Sequence, residues 1–141
     1  MKNTFLFLVT IITIIASPLH SATIASSADK ITPLLVGNQL PTVKLKDYRN
    51  KSVDLEELSK GKSTLVVFYR GSWCPYCNRH LQALGESKAS LEKMGIQIIA
   101  ISPDSASSLS KSLEKNKVDS TLLSDAQDNA AKAFGVAFNS G

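Results

Sequence analysis

The feature that most constrains the fold is a pair of short apolar runs separated by twenty-six residues. Thr64–Tyr69 is nearly all apolar, and Ile96–Ile101 has the same character. Runs of this length, rich in β-branched and aromatic side chains, are typical of strands buried on both faces of a parallel sheet. Parallel neighbours need a crossover of a dozen or more residues, and the interval 70–95 is long enough to hold a helix. The pair therefore predicts a β-α-β unit.

The interval itself has helical character. Apolar residues recur in it at helical spacing, namely Leu81, Leu84, Leu91 and Met94. Pro75 suits the first turn of a helix, where its missing N–H costs nothing, and Gly95 can end the helix. Further along, we predict a helix from Ala106 and a strand over Thr121–Leu123. A last helix is predicted over Ala126–Phe134, begun by a capping box of Ser124 and Gln127.

The segment before the first apolar run has a different pattern. Thr42–Leu45 and Ser52–Leu55 alternate apolar and polar residues around a polar turn, which predicts an antiparallel hairpin. Asp54 is a predicted N-cap, so a short helix should follow over Leu55–Ser59. The whole pattern predicts an α/β fold with a mostly parallel central sheet, flanking helices and an N-terminal β-hairpin.

The first twenty-two residues have the order of an export signal. Lys2 supplies the positive start, an apolar stretch of twelve residues follows, and small residues come after Ser17-Pro18. Twelve helical residues span about 18 Å, too short for a hydrocarbon core of about 30 Å. We therefore predict a signal peptide at 1–22, a flexible leader at 23–32 and one domain at 33–141. The protein is expected to be exported, periplasmic or secreted, without stable membrane insertion after cleavage.

The net charge and the two cysteines limit the possible functions. Lys and Arg exceed Asp and Glu by four, and because they form no basic run, no nucleic-acid partner is expected. The two cysteines lie together in Trp73-Cys74-Pro75-Tyr76-Cys77. In an exported protein disulfides form and persist, so a Cys74–Cys77 disulfide is chemically available.

This cysteine pair predicts redox chemistry. Cys74 and Cys77 are three residues apart at the start of a predicted helix, and therefore lie on one face. The helix dipole and free backbone N–H groups favour a thiolate there, and the second cysteine can resolve a mixed disulfide. Supporting residues are those around the sulfurs, namely Arg70, Trp73, Pro75 and Tyr76, with further positive charge available from Arg79.

Three other uses of the cysteines fit less well. A structural disulfide across four residues removes only roughly 2 kcal/mol of chain entropy, against about 3 kcal/mol for fifteen residues. One C-x-x-C pair with His80 supplies at most three zinc ligands. Haem attachment needs His directly after the second cysteine, where Asn78 stands. We expect neither a metal nor another cofactor.

Several segments carry a family resemblance. These are Leu35–Pro41, Val43–Asp47, Val66–Cys77, Leu122–Asp125 and Ala130–Phe138. Together they resemble the alkyl hydroperoxide reductase/thiol-specific antioxidant family, in particular a peroxiredoxin-like branch with a Trp-Cys-Pro-Tyr-Cys site. The resemblance covers about 33–138 and implies a thioredoxin-like fold. It also implies thiol-dependent reduction of peroxides or disulfides, with electrons from a thiol donor such as a thioredoxin-like protein.

The resemblance leaves the role of each cysteine open. Typical peroxiredoxins place a Pro seven residues and a Thr three residues before the peroxidatic cysteine. Counted back from Cys77, these positions hold Arg70 and Cys74, so this register makes Cys77 peroxidatic. The thioredoxin register makes Cys74 the attacking thiol. We favour Cys74 as the nucleophile and Cys77 as its partner, because a paired C-x-x-C cycles without a third thiol.

The resemblance also sets an expectation about the end of the domain. A thioredoxin fold carries a cis-proline opposite the cysteines, yet the only proline after Cys77 is Pro103, which follows a predicted strand. The family's last strands and final helix would come after Phe138, so we expect a C-terminally truncated domain. Two functions stay open here, an active thiol oxidoreductase and a catalytically inactive or fragmentary redoxin domain that acts as a binding module.

Overall fold

Where the structure describes the chain, its architecture is a five-stranded mixed sheet with helices on both faces. The computed structural model describes residues 24–116 and 120–139. The predicted signal peptide at 1–22 lies outside these residues. The strands are β1 (Lys44–Lys46), β2 (Ser52–Asp54), β3 (Ser63–Phe68), β4 (Ile96–Ser102) and β5 (Thr121–Ser124), and their order across the sheet is β2-β1-β5-β4-β3.

The two apolar runs form the predicted parallel pair. β3 and β4 run parallel in a register that pairs Val66 with Ile99, and β4 and β5 are also parallel. The predicted hairpin is present, because β1 and β2 are antiparallel, and β1 joins the sheet through an antiparallel contact with β5. The α/β prediction with a mostly parallel sheet and an N-terminal hairpin is confirmed.

In the described ranges, four α-helices cover the sheet. They are α1 (Leu55–Ser59), α2 (Pro75–Lys93), α3 (Ala106–Asn116) and α4 (Asn129–Ala133). Asp54 caps α1 as predicted, since its carboxylate accepts the N–H groups of Glu56 and Glu57. Within the described residues, no helix is long and apolar enough to cross a membrane.

The core has two layers, one on each face of the sheet. One layer is centred on Ile99, Ile101 and Leu123 and includes Leu55 of α1 and Ala130 of α4. The other layer packs α2 and α3 against the opposite face, through Leu81, Leu109, Ala100 and Leu122. Alternate side chains of β4 enter the two layers, so β4 is buried on both sides. This burial rigidly positions the carboxyl end of β4 beside that of β3.

The last helix differs from the prediction. Instead of Ala126–Phe134 with a Ser124 cap, α4 covers only Asn129–Ala133. The Ser124 side chain is directed toward another loop instead, where its hydroxyl donates to the backbone carbonyl of Asp104. Asp125 replaces it, because its two carboxylate oxygens accept the N–H groups of Ala130 and Ala131 at 3.0 and 2.9 Å.

Part of the predicted leader packs on the segment that follows α4. Ala25 exchanges backbone hydrogen bonds with this segment, receiving one from Asn139 and donating one to Ala137, each at 2.9 Å. Thr32 donates its N–H to the Gly135 carbonyl at 3.1 Å. The flexibility of the leader stays a prediction, and these contacts place its described part beside α4.

Candidate active site

The cysteine pair lies at the junction between β3 and α2. β3 ends at Phe68, and α2 begins at Pro75, so the intervening loop crosses the carboxyl edge of the sheet. Gly71 in this loop is buried with φ +143°, and a Cβ there would lie 2.6 Å from Trp73 Nε1. Only glycine fits this approach without displacing the indole. Ligands of open parallel sheets bind at this edge, which makes the loop the natural reaction site.

Cys74 is the N-cap of α2. Its Sγ accepts the backbone N–H of Cys77 at 3.4 Å and the Cys77 thiol at 2.7 Å. Pro75 occupies the first helical turn as predicted, so the cap loses no donor there. The two sulfurs are free thiols in contact, and Cys74 is only 5% exposed while Cys77 is half-buried. The geometry places two thiols where a disulfide can form and break.

The two thiols differ in acidity. Hydrogen bonds from the Cys77 thiol and backbone N–H lower the pKa of Cys74, and the positive charge of Arg70 acts in the same direction. Burial raises the pKa of Cys77, and the hydrogen bond that it donates to Cys74 raises it further. The pair therefore stabilises a thiolate on Cys74 and keeps a proton on Cys77. This asymmetry is what a nucleophile and its resolving partner require.

A carboxylate just after β4 holds the cysteine loop in place. Asp104 accepts the N–H of Ser72 at 2.7 Å and the hydroxyl of Ser102 at 3.0 Å. Asn78 of α2 donates its side-chain N–H to the Ser72 carbonyl at 2.9 Å. Asp104 and Asn78 therefore hold the backbone of Ser72, two residues before Cys74.

Sequence reasoning did not assign these three residues to the site. A usable signal was present for Asp104, because Ser102-Pro103-Asp104 directly follows the second apolar run. Carboxyl ends of adjacent parallel strands meet at one edge, so residues after both runs become neighbours. Ser72 and Asn78 carry no comparable signal, since their roles depend on the path of the loop.

Tyr69 is a second residue that the sequence did not single out. It follows β3 directly, is half-buried and packs against the layer that contains Leu81. Burial raises the pKa of its phenol, and the nearby negative charge of Asp104 adds to that rise. Tyr69 therefore carries a neutral hydroxyl beside the thiols.

The predicted supporting residues lie around the sulfurs at the surface. Trp73 and Tyr76 are exposed, and the Arg70 guanidinium stacks 4.8 Å from the centroid of the Trp73 ring. Arg79 stacks in the same way over Tyr76, at 4.7 Å. In the described part of the chain, no three His, Cys, Asp or Glu side chains converge to hold a metal ion.

Comparison with known proteins gives consistent matches. Residues 36–140 match the model of the AhpC/TSA family. A candidate peroxiredoxin Bcp of Haemophilus influenzae is 37% identical over 106 residues, which are 75% of this chain and 68% of that protein. Peroxiredoxin Bcp of Escherichia coli K12 is 32% identical over 106 residues, which are 75% of this chain and 67% of that protein.

The fold matches solved structures. Peroxidoxin BcpB of Mycobacterium tuberculosis superposes with a TM-score of 0.66 at 24% identity, and Peroxiredoxin Q of Xanthomonas campestris with 0.63 at 22%. Each alignment covers 70% of this chain and 64% of the other chain. The chain thus spans about two thirds of the length of its relatives, and the likeness establishes a thioredoxin-like peroxiredoxin fold.

Proposed function

The chain belongs to the AhpC/TSA family, and from that premise we propose that it is a thiol peroxidase in which Cys74 attacks the peroxide and Cys77 resolves the product. One observation carries the assignment of roles. Cys74 Sγ accepts two hydrogen bonds at the N-terminus of α2, one of them from the Cys77 thiol. A sulfur that accepts is prepared to carry negative charge, and a thiol that donates is prepared to deliver a proton.

The proposed cycle balances in three steps. The Cys74 thiolate attacks one peroxide oxygen, the O–O bond breaks, and the departing alkoxide takes a proton to leave as an alcohol. Cys74 is then a sulfenic acid, and the Cys77 sulfur displaces its oxygen as water to form the Cys74–Cys77 disulfide. A dithiol donor, such as a thioredoxin-like protein, returns two electrons and two protons and restores both thiols.

Access to the sulfur favours a peroxide over a protein disulfide as the oxidant. Cys74 is 5% exposed, whereas its chain neighbours Trp73 and Tyr76 are largely exposed. A peroxide oxygen reaches such a sulfur more easily than the bulky disulfide of a folded protein. Two thiols 2.7 Å apart also allow rapid resolution, which protects Cys74 from further oxidation.

The test separates the two cysteines. Cys77→Ser should react with hydrogen peroxide and accumulate a sulfenic acid on Cys74, which dimedone traps for mass spectrometry. Cys74→Ser should lose peroxide reactivity by about 100-fold or more, because the remaining thiol lacks its activating contacts. A dimedone adduct on Cys77 in Cys74→Ser, formed at the wild-type rate, would show that the peroxiredoxin register is right and our assignment wrong. Reduction of insulin without peroxide turnover would favour a disulfide reductase.

We also propose that the protein acts outside the cytoplasm. The charged, apolar and small-residue order of 1–22 supports export, and a Cys-x-x-Cys disulfide is compatible with an oxidising compartment. Expression of the full chain in a Gram-negative host should yield a periplasmic product. Its measured mass should match that of the chain without about the first twenty-two residues. A cytoplasmic product with an intact N-terminus would contradict export and leave the peroxidase proposal untouched.

A further inference from the structure

Two exposed aromatic side chains flank the thiols, and each carries a guanidinium on its face. Trp73 is 64% exposed with Arg70 stacked on it, and Tyr76 is 76% exposed with Arg79 stacked on it. We refer to these four residues as the rim. Tryptophan, tyrosine and arginine are the side chains most enriched at the energetic centres of protein interfaces. The rim therefore has the composition of an interaction surface.

The charge of the rim is not neutralised within the described residues. The ion pairs found there are Lys60–Glu57 and Lys88–Glu92, and neither Arg70 nor Arg79 takes part in one. The carboxylate of the site, Asp104, accepts hydrogen bonds from Ser72 and Ser102 and forms no ion pair with either arginine. Both guanidinium groups are thus free to meet carboxylates of a partner, and the chain as a whole carries a formal charge of +4.

We propose that the rim is the docking surface for an acidic protein dithiol that reduces the Cys74–Cys77 disulfide. The proposal rests on the proposed function, because that function creates the disulfide to be reduced. The position of the rim favours a dithiol protein over other acidic partners. Trp73 and Tyr76 each precede one of the two cysteines in the chain, so a protein bound to them lies next to the sulfurs. A protein seated on the rim holds its own thiol against the sulfur pair.

The exposure of the two sulfurs sets the direction of the reduction. Cys77 is half-buried and Cys74 is buried, so the incoming thiolate meets Cys77 Sγ first. Attack there forms a mixed disulfide on Cys77, breaks the Cys74–Cys77 bond and leaves the electron pair on Cys74. The second donor thiol then displaces Cys77, so that the donor is oxidised to a disulfide and both cysteines are reduced. Cys74 is the better leaving group, because its departing thiolate still accepts the backbone N–H of Cys77 at the N-terminus of α2.

The experiment compares two reductants on the same oxidised protein. Trp73 is the single tryptophan and adjoins Cys74, so its fluorescence reports reduction in a stopped-flow instrument. The disulfide is formed with diamide, which makes the docking test independent of peroxide reactivity. The reductants are a thioredoxin of net negative charge and dithiothreitol, and the quantity measured is the ratio of their second-order rate constants.

We expect Arg79→Gln to lower this ratio by about 3- to 10-fold at low ionic strength, and the loss to shrink as salt is raised. Arg79→Lys should retain most of the ratio, because it keeps the charge. The matched control is Arg49→Gln, since Arg49 stacks 5.0 Å from the Tyr48 ring in the β1–β2 turn, at the opposite edge of the sheet. A thioredoxin variant without its second cysteine should be trapped on Cys77.

The outcomes that overturn the proposal are distinct from failure of the peroxidase function. An unchanged ratio for Arg79→Gln at every ionic strength, or a fall equal to that of Arg49→Gln, removes the rim as the docking surface. An unchanged ratio together with lost binding to phosphatidylglycerol vesicles would instead assign the rim to a membrane. A wild type that reacts normally with thioredoxin but never with hydrogen peroxide leaves docking intact and refutes the peroxidase proposal.

Discussion

At the scale of single residues, one position serves two purposes. Cys74 stands at the N-cap of α2, where Ser, Thr, Asp and Asn are the usual residues because their oxygens accept free backbone N–H groups. The Cys74 sulfur accepts the same kind of hydrogen bond, and this lowers the pKa of its thiol. The feature that begins the helix therefore also prepares the nucleophile.

Removal of the Cys77 donor should change the acidity of Cys74. The Cys77 thiol is the largest cause of the lowered pKa of Cys74, so Cys77→Ala should raise that pKa toward its ordinary value. The thiolate then forms at higher pH, and the alkylation rate of Cys74 with iodoacetamide should show a midpoint shifted upward. Cys77→Ser keeps a hydroxyl donor and should shift less than Cys77→Ala. Equal midpoints in the two variants would show that the side-chain donor at position 77 does not control the acidity.

At the scale of elements, the β3–α2–β4 unit follows its sequence pattern closely. Its strands lie within one residue of the predicted bounds, and α2 begins at Pro75. The spacing of the apolar residues, the strand propensity and Pro75 are all local properties of the sequence. They are therefore sufficient to predict this unit. α4 is the exception, because Ser124 hydrogen-bonds to a loop twenty residues away and Asp125 caps the helix in its place.

Glycine at the end of α4 provides a test of this packing. Gly135 has φ +68°, and a Cβ there would lie 1.9 Å from the Thr32 carbonyl oxygen. Gly135→Ala should lower the free energy of unfolding by backbone strain of about 1–2 kcal/mol and by a further 1–3 kcal/mol or so for the clash. The matched control is Gly95→Ala, with φ +75° and no atom within 4 Å, which should carry the strain alone. Urea unfolding measures both, and equal losses would mean that the Thr32 segment does not pack on α4.

At the scale of the whole molecule, the two core layers are joined through β4. Ile99 is fully buried in one layer, and Ala100 is fully buried in the other. β3 lies at an edge of the described sheet, where Leu65 is 38% exposed. Stability is therefore concentrated at β4 and decreases toward β3, the strand that leads into the cysteine loop.

Truncation of side chains in these two strands should reflect that gradient. Ile99→Ala should lower the free energy of unfolding by about 2–5 kcal/mol, because it leaves a cavity between sheet and helices. Leu65→Ala should cost about 1 kcal/mol or less, because its side chain already contacts water. Circular dichroism during urea unfolding measures both variants. A similar cost at the two positions would mean that the edge of β3 is covered in the folded protein.

The sequence by itself determined the β-α-β unit, the hairpin and the position of both cysteines on the first turn of α2. These follow from periodicity, from Pro75 and from a three-residue spacing, which act between near neighbours in the chain. Only the tertiary structure decided that Asp104 anchors Ser72 across thirty-two residues, and that Cys74 accepts while Cys77 donates. Those facts depend on how distant segments meet at the carboxyl edge of the sheet and on which sulfur is enclosed there, and no local pattern encodes that enclosure.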